Sequence, residues 1–130
     1  MLFGKALVAL ATVFGLPAAV AHNGGRGTVY FQNNVAGSCG NVNPDSALIV
    51  ALGNYWMKNQ DKSPYCGRKI KVKNVGSNSG SHGKGNNLTV TVADTCESCG
   101  EDDIDFSVGA WNKLTNKSPG GTIIIDWEFE

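Results

Sequence analysis

All four cysteines of the chain, Cys39, Cys66, Cys96 and Cys99, lie beyond a leader that reads as an export signal. Met1–Ala21 carries one early positive charge, Lys5, then the apolar run Ala6–Leu16, and it closes on the small residues Ala18-Ala19-Val20-Ala21. That order is the n-region, h-region and cleavage site of a secretory signal peptide, with cleavage expected after Ala21. A membrane anchor would need roughly 20 unbroken apolar residues, and Pro17 interrupts this run. An even number of cysteines in an exported chain reads as two disulfides, for which four cysteines allow three pairings. Two alternatives use the same residues. A zinc site of four thiolates wants two closely spaced pairs, whereas Cys39 and Cys66 stand far apart in sequence. A thioredoxin-like pair at Cys96-Glu97-Ser98-Cys99 should open a helix after a strand, which is not what surrounds Cys96.

Beyond the leader, His22–Glu130 is one domain's worth of chain, able to bury a modest core. Loss of Lys5 takes one of 11 basic residues and none of the 11 acidic ones, so the exported chain is close to neutral. A near-neutral chain with no basic run argues against nucleic acid or an anionic membrane as partner and leaves uncharged or mixed surfaces as targets. A secreted monomer is expected, with no metal and no cofactor.

Residues 22–27 are glycine-rich and read as a flexible segment, so the folded domain is placed at residues 28–130. Thr28–Gln32, Lys69–Val75, Leu88–Ala93 and Thr122–Phe129 read as strands from their β-branched and aromatic content or their alternation. Ala47–Leu52 is apolar and short, and its periodicity does not separate strand from helix. Gly53–Lys58 fits a brief helical turn. Gly76–Asn87, mostly Gly, Ser and Asn, reads as a flexible connection. The one convincing helix follows Asp103–Phe106: Ser107 can cap it, and Val108, Trp111 and Leu114 share a face. Short strands, one short helix and Gly-rich turns predict a mainly β domain, a small closed barrel. Asn87-Leu88-Thr89 and Asn116-Lys117-Ser118 are glycosylation sequons, the second weakened by Pro119.

Four segments in order carry a family likeness: Gly27-Thr28-Val29-Tyr30, then Gly37-Ser38-Cys39-Gly40 with Ala47–Leu52, then Cys66-Gly67-Arg68-Lys69-Ile70-Lys71-Val72, then Val92-Ala93-Asp94-Thr95-Cys96-Glu97-Ser98-Cys99-Gly100 leading into Asp103-Ile104-Asp105-Phe106-Ser107. Together they resemble the rare-lipoprotein-A-like double-psi β-barrel superfamily, which includes the first domain of expansins, barwin, barwin-type endoglucanases and the short fungal loosenins. The length is most similar to the single-domain loosenin-like members. The resemblance implies a six-stranded double-psi β-barrel with one or two short helices and an open groove on one face. It further implies that Cys39 pairs with Cys66 and that Cys96 pairs with Cys99.

By the same resemblance, Asp105 matches the groove carboxylate of expansins, which is the general acid in the related endoglucanases, and Asp94 matches a second acidic position in that groove. Glycoside hydrolysis ordinarily takes two carboxylates. Thr28 and Tyr30 match the endoglucanases' first-strand motif, but Gln32 stands where their base would be. Asp103 also stands where expansins carry a His, and Asn34 falls near an acid that some of them have. The implied function is non-hydrolytic: binding of a cell-wall polysaccharide (cellulose, chitin or a related β-glucan) and loosening of chain–chain contacts. The binding set would be Thr28, Tyr30, Gln32, Asp94 and Asp105, with Tyr55 and Trp56 as stacking platforms. Tyr65 is a further stacking candidate, whereas Trp111 and Trp127 are expected in the core. Asp102 and Asp103 are expected to be solvated. The competing class is a protein-binding module, because similar single barrels include secreted cysteine-protease inhibitors and plant–microbe effector or defence proteins. Such a module would act through Gly76–Asn87 or the Cys96–Cys99 loop. A weak hydrolase would need an unrecognised second carboxylate. An N-terminal His22 paired with His82 would match a copper brace, but nothing else supports one; the bland expectation is an exposed, untethered terminus.

Overall fold

A computed structural model describes residues 20–130; the proposed leader lies almost wholly outside the described residues. Six strands close into a barrel: β1 (His22–Tyr30), β2 (Ile49–Leu52), β3 (Lys69–Gly76), β4 (Asn87–Thr95), β5 (Ile104–Ser107) and β6 (Ile123–Phe129), in the spatial order β1-β5-β2-β4-β3-β6. Two helices accompany them, α1 (Asn54–Met57) and α2 (Val108–Thr115). Strands β1 and β5 run parallel, as do β2 and β4, and every other neighbouring pair is antiparallel. This is the mainly β, six-stranded barrel that the sequence leads one to expect.

Alternation sets which side chains fill it. On β3, Ile70, Val72 and Asn74 are buried while Lys69, Lys71 and Lys73 face water. Val50, Leu52, Val90, Val92, Ile104, Phe106, Ile123, Ile125 and Trp127 join the same core. Each aliphatic or aromatic side chain so buried contributes about 1.5–3 kcal/mol. Helix α2 plugs one end with Ala110, Trp111 and Leu114. It starts where Ser107 accepts a hydrogen bond from the Ala110 N–H, and it stops at Asn116, whose left-handed backbone (φ 55°) an L-residue other than Asn seldom adopts. Trp111 and Trp127 are core residues, as expected.

Three expectations need correction. Segment 22–27 is not a free approach to the barrel: β1 begins at His22, and Gly25, Arg26 and Gly27 pair with Ile125, Ile124 and Ile123 of β6. Its glycines hid the strand. A Cβ at Gly25 would run into the Asp102 carbonyl, so glycine is what lets the 100–103 turn lie across β1. Residues 104–107, read as a lead-in to the helix, form strand β5, too short at four residues to show alternation. The connection 76–87 is pinned, with hydroxyls and amides in place of apolar side chains. Ser77 and Ser79 both donate to the Thr122 carbonyl, Ser118 Oγ accepts from the His82 N–H, and buried Asn74 donates to the carbonyls of His82 and Leu114.

Both disulfides are formed, Cys39–Cys66 and Cys96–Cys99. The first closes a loop of 27 residues, which chain entropy values at roughly 3–4 kcal/mol. Among the described residues no helix is long and apolar enough to cross a membrane.

Candidate functional site

Thr28 on β1 is paired with Asp105 on β5, Asp105 with Ala51 on β2, and Ala51 with Asp94 on β4. These four residues therefore form one row across four adjacent strands. Asp105 lies between Ile104 and Phe106, both fully buried, and so projects to the outer face. Simple alternation would send Asp94 inward with Val90 and Val92. The register slips between Val50 and Ala51, so that Val92 faces Val50 but Asp94, two residues on, faces the very next residue. This bulge moves Asp94 to the outer face with Asp105. Between them in the row stands Ala51, itself buried, and with strands about 4.8 Å apart the two aspartate Cα atoms lie about 10 Å apart.

Each carboxylate is held differently. Thr28 Oγ1 donates to Asp105 Oδ1 at 2.8 Å. Burial raises the Asp105 pKa above its ordinary 3.8; the Thr28 hydrogen bond and the Arg26 charge oppose the rise, and Asp94 adds to it least. The coupling between carboxylates is thus a minor cause and desolvation the main one. Asp94 Oδ1 instead accepts the backbone N–H groups of Ser38 and Thr95, each at 2.8 Å. A Cβ at Gly37 would fall 2.6 Å from the Ala93 carbonyl and 2.9 Å from the Asp94 carboxyl carbon. Only glycine lets this loop lie close enough for Ser38 to donate, and Cys39, stapled to Cys66, holds it there.

Tyr30, on the same face two residues after Thr28, has its phenol pKa pushed up to about 12, first by burial and then by the charges of Asp94, Asp105 and Asp45, with Gln32 opposing. Its hydroxyl thus stays a donor across ordinary pH. Gln32 lies just past the end of β1 and is buried. Although Gln32 is near enough to affect Tyr30, no well-formed hydrogen bond joins them: Tyr30 Oη and Gln32 Nε2 are both buried without a protein partner. Buried polar atoms are nearly always partnered, so two orphans side by side mark the place where the fold leaves hydrogen bonds for something else.

Thr28, Tyr30, Gln32, Asp94 and Asp105 are thus brought together, and the structure adds Asp45, which sequence reasoning passed over. Asp45 Oδ1 accepts the Gln32 N–H at 2.7 Å, and the carboxylate reaches the Tyr30 environment from the loop before β2. Its sequence surroundings, Asn43-Pro44-Asp45-Ser46, signal only a turn. Phe31, Val35 and Val42, in the same loops, are 60–64% exposed; nothing in the sequence marked them. Trp56 stands apart from this set. Its ring packs edge-on against His22, Tyr65 and Phe129, and its indole N–H donates to the Glu101 carbonyl. Tyr55 beside it is 53% exposed. Of the sequons, Asn87 opens β4 and is exposed, while the Ser118 hydroxyl of the second is buried and bonded to the Thr115 carbonyl.

No protein-family model and no curated protein matches the sequence. Solved structures do. A Streptomyces papain inhibitor is similar over 88% of this chain and 98% of its own, with 28% identity and a TM-score of 0.68. An expansin of Clavibacter michiganensis is similar over 85% of this chain and 50% of its own, with 25% identity and a TM-score of 0.62. The fold is a double-psi β-barrel. The endoglucanase Cel45A of the blue mussel Mytilus edulis shares that barrel at 16% identity, with a TM-score of 0.54 over 82% of this chain and 79% of its own. This double-psi barrel spans half of the expansin and nearly all of the inhibitor.

Proposed function

We propose that the chain is a secreted, non-hydrolytic polysaccharide-binding protein of the expansin and loosenin kind, acting through the Thr28–Asp105–Ala51–Asp94 row. The observation that carries this reading is the pair of orphan donors, Tyr30 Oη and Gln32 Nε2, beside two outward carboxylates in one row. A sugar ring offers hydroxyls that accept from the first two and donate to the second. Asp105, which takes up a proton more readily than a free aspartate, can do either. Insertion of one glycan along the row exchanges chain–chain hydrogen bonds for protein–glycan ones. A variant of the Clavibacter expansin is described in complex with cellohexaose, and the likeness to that barrel supports the ligand class. Hydrolysis is disfavoured because Gln32 replaces an acid and Asp94 has its Oδ1 committed to two backbone N–H groups. Purified protein is expected to release no reducing sugar from soluble cellulose or β-glucan; sustained release abolished by Asp105→Asn would overturn that part. Two formed disulfides suit an oxidising, extracellular destination.

A second reading has its own support. The papain inhibitor is similar along its whole length, and Phe31, Val35 and Val42 expose apolar surface on adjoining loops, which suits a protein partner better than a sugar. Co-sedimentation with insoluble cellulose and chitin, run beside a papain inhibition assay, separates the two. Sedimentation without inhibition supports the glycan reading, and inhibition abolished by Phe31→Ser without sedimentation supports the other.

A further inference from the structure

His22 was expected to be exposed and untethered. It is 9% exposed and sits at the far end of β1 from the carboxylate row. Its ring stacks on Trp127 with centroids 4.3 Å apart and planes 18° apart, and meets Trp56 edge-on at 5.3 Å. Its Nδ1 lies 2.8 Å from Asp102 Oδ1. Glu101 completes a group in which one ligand atom from each of the three residues lies within 4.8 Å of the others. His82 does not belong to this group, so the two-histidine arrangement weighed from the sequence is not formed.

The surroundings hold these three residues from behind. The Trp127 indole N–H donates to the Asp102 carbonyl and the Trp56 indole N–H to the Glu101 carbonyl, both at 2.8 Å. Gly25 admits the Asp102 backbone against β1, and the Cys96–Cys99 disulfide closes the loop just upstream. These bonds fix the backbone that carries Glu101 and Asp102, and the stack on Trp127 fixes the plane of the His22 ring. Among the described residues, no Lys or Arg pairs with Glu101 or Asp102; Arg26 pairs with Asp103 instead. All three ligand atoms lie within 4.8 Å of one another, close enough for one ion to reach them with small side-chain movements.

We propose that His22, Glu101 and Asp102 bind a divalent transition-metal ion, and that cleavage after Ala21 completes the site by giving His22 a free α-amine. Amine and Nδ1 of one histidine close a six-membered chelate ring, and two carboxylates then supply a mixed nitrogen–oxygen set. Such a set prefers Cu²⁺, then Ni²⁺ or Zn²⁺, over Mg²⁺ or Ca²⁺. The ion would clip the start of β1 to the turn before β5. This inference stands apart from the polysaccharide reading, because it uses none of the residues of the carboxylate row.

The test uses protein beginning at His22 and protein that retains Ala21, each titrated with Cu²⁺ by tryptophan fluorescence, with Zn²⁺ by calorimetry, and with Mg²⁺ as control. Trp127 and Trp56 flank the ion, so Cu²⁺ should quench them at micromolar concentration, and saturating metal should raise Tm. Retaining Ala21 should weaken binding about tenfold or more. His22→Gln, Asp102→Asn and Glu101→Gln should each weaken it at least about tenfold, since loss of a mere supporting partner of a ligand already costs about 10–100-fold. Asp102→Asn and Glu101→Gln keep side-chain shape, and their far-UV spectra establish that the barrel has folded. Millimolar binding in the protein that begins at His22 overturns the proposal. So does binding that depends on the terminal amine and His22 but is unchanged by both carboxylate variants, which is what any peptide beginning with histidine would show.

Discussion

The two ends of β1 are built on opposite rules. At the end near β5's exit, Tyr30 Oη and Gln32 Nε2 are buried without protein partners, and a bulge turns Asp94 outward to face Asp105 across one alanine. At the His22 end, both indole N–H groups have carbonyl partners and the imidazole is stacked and hydrogen-bonded. A stacked, hydrogen-bonded aromatic corner is one that stability favours. Unpartnered donors beside a carboxylate that burial makes reluctant to ionise are what stability alone would remove. The contrast sets a packed, hydrogen-bonded end, where any bound ion would act as a clip, against an end with unpartnered polar groups, where the proposed glycan site lies, and each end can be perturbed separately.

The largest effect is expected at the packed His22 end. Trp127→Ala should lose about 3–5 kcal/mol in chemical denaturation, while folded molecules keep their capacity for insoluble polysaccharide. Loss of that capacity at unchanged folded fraction would merge the two ends. Removing Cys39–Cys66 by paired serine substitution should lose about 3–4 kcal/mol and act locally on the other end. Amide exchange should quicken around Gly37–Cys39, which lies on Asp94, and stay slow at His22–Gly27. Uniform quickening would mean that the staple serves the whole barrel equally. Gly37→Ala should cost about 1–3 kcal/mol by crowding Ala93 and Asp94, and should weaken glycan binding by withdrawing the Ser38 N–H. Unchanged binding would show that Asp94 needs no such holding.

How much of this was legible in the sequence differs between the ends for a physical reason. The carboxylate row was readable by family likeness, since Thr28, Tyr30, Gln32, Asp94 and Asp105 sit in short motifs. Their geometry was not, because the slip at Val50/Ala51 that turns Asp94 outward is a property of pairing between strands. At the His22 corner Trp127 was legible as core, but His22 itself was misread. Its contacts join residues 80 apart, and the glycines that admit them look locally like a loose segment. Asp102 and Asp103, expected to be solvated, accept from or pair with His22, Arg26 and Gly100. The same holds for 76–87, where composition suggested mobility but Ser77, Ser79 and Asn74 tie the loop to distant backbone.

The smallest expected effect concerns pH. Asp105 has a folded-state pKa above its ordinary 3.8. The folded protein therefore binds a proton more tightly there than the unfolded chain does, and the charged carboxylate opposes folding above the raised pKa. That penalty fades as pH falls and is gone below 3.8. Asp105→Asn should thus be slightly more stable than wild type at pH 7, by less than about 1 kcal/mol given the half-exposed site, with the gain vanishing in acid. A variant that is less stable at pH 7 would make Asp105 a brace for the start of α2.

Adsorption of Asp105→Asn to insoluble cellulose and chitin, normalised to folded protein, tests the assignment of recognition to this row most directly. The asparagine keeps the shape and can still accept from Thr28, but it can neither carry the charge nor exchange the proton. Binding should fall at least about tenfold, which is about 1.4 kcal/mol, and lose its dependence on pH in the acid range while the barrel stays intact. Wild-type adsorption by a folded Asp105→Asn protein would contradict the assignment and leave the exposed Phe31, Val35 and Val42 loops as the working surface.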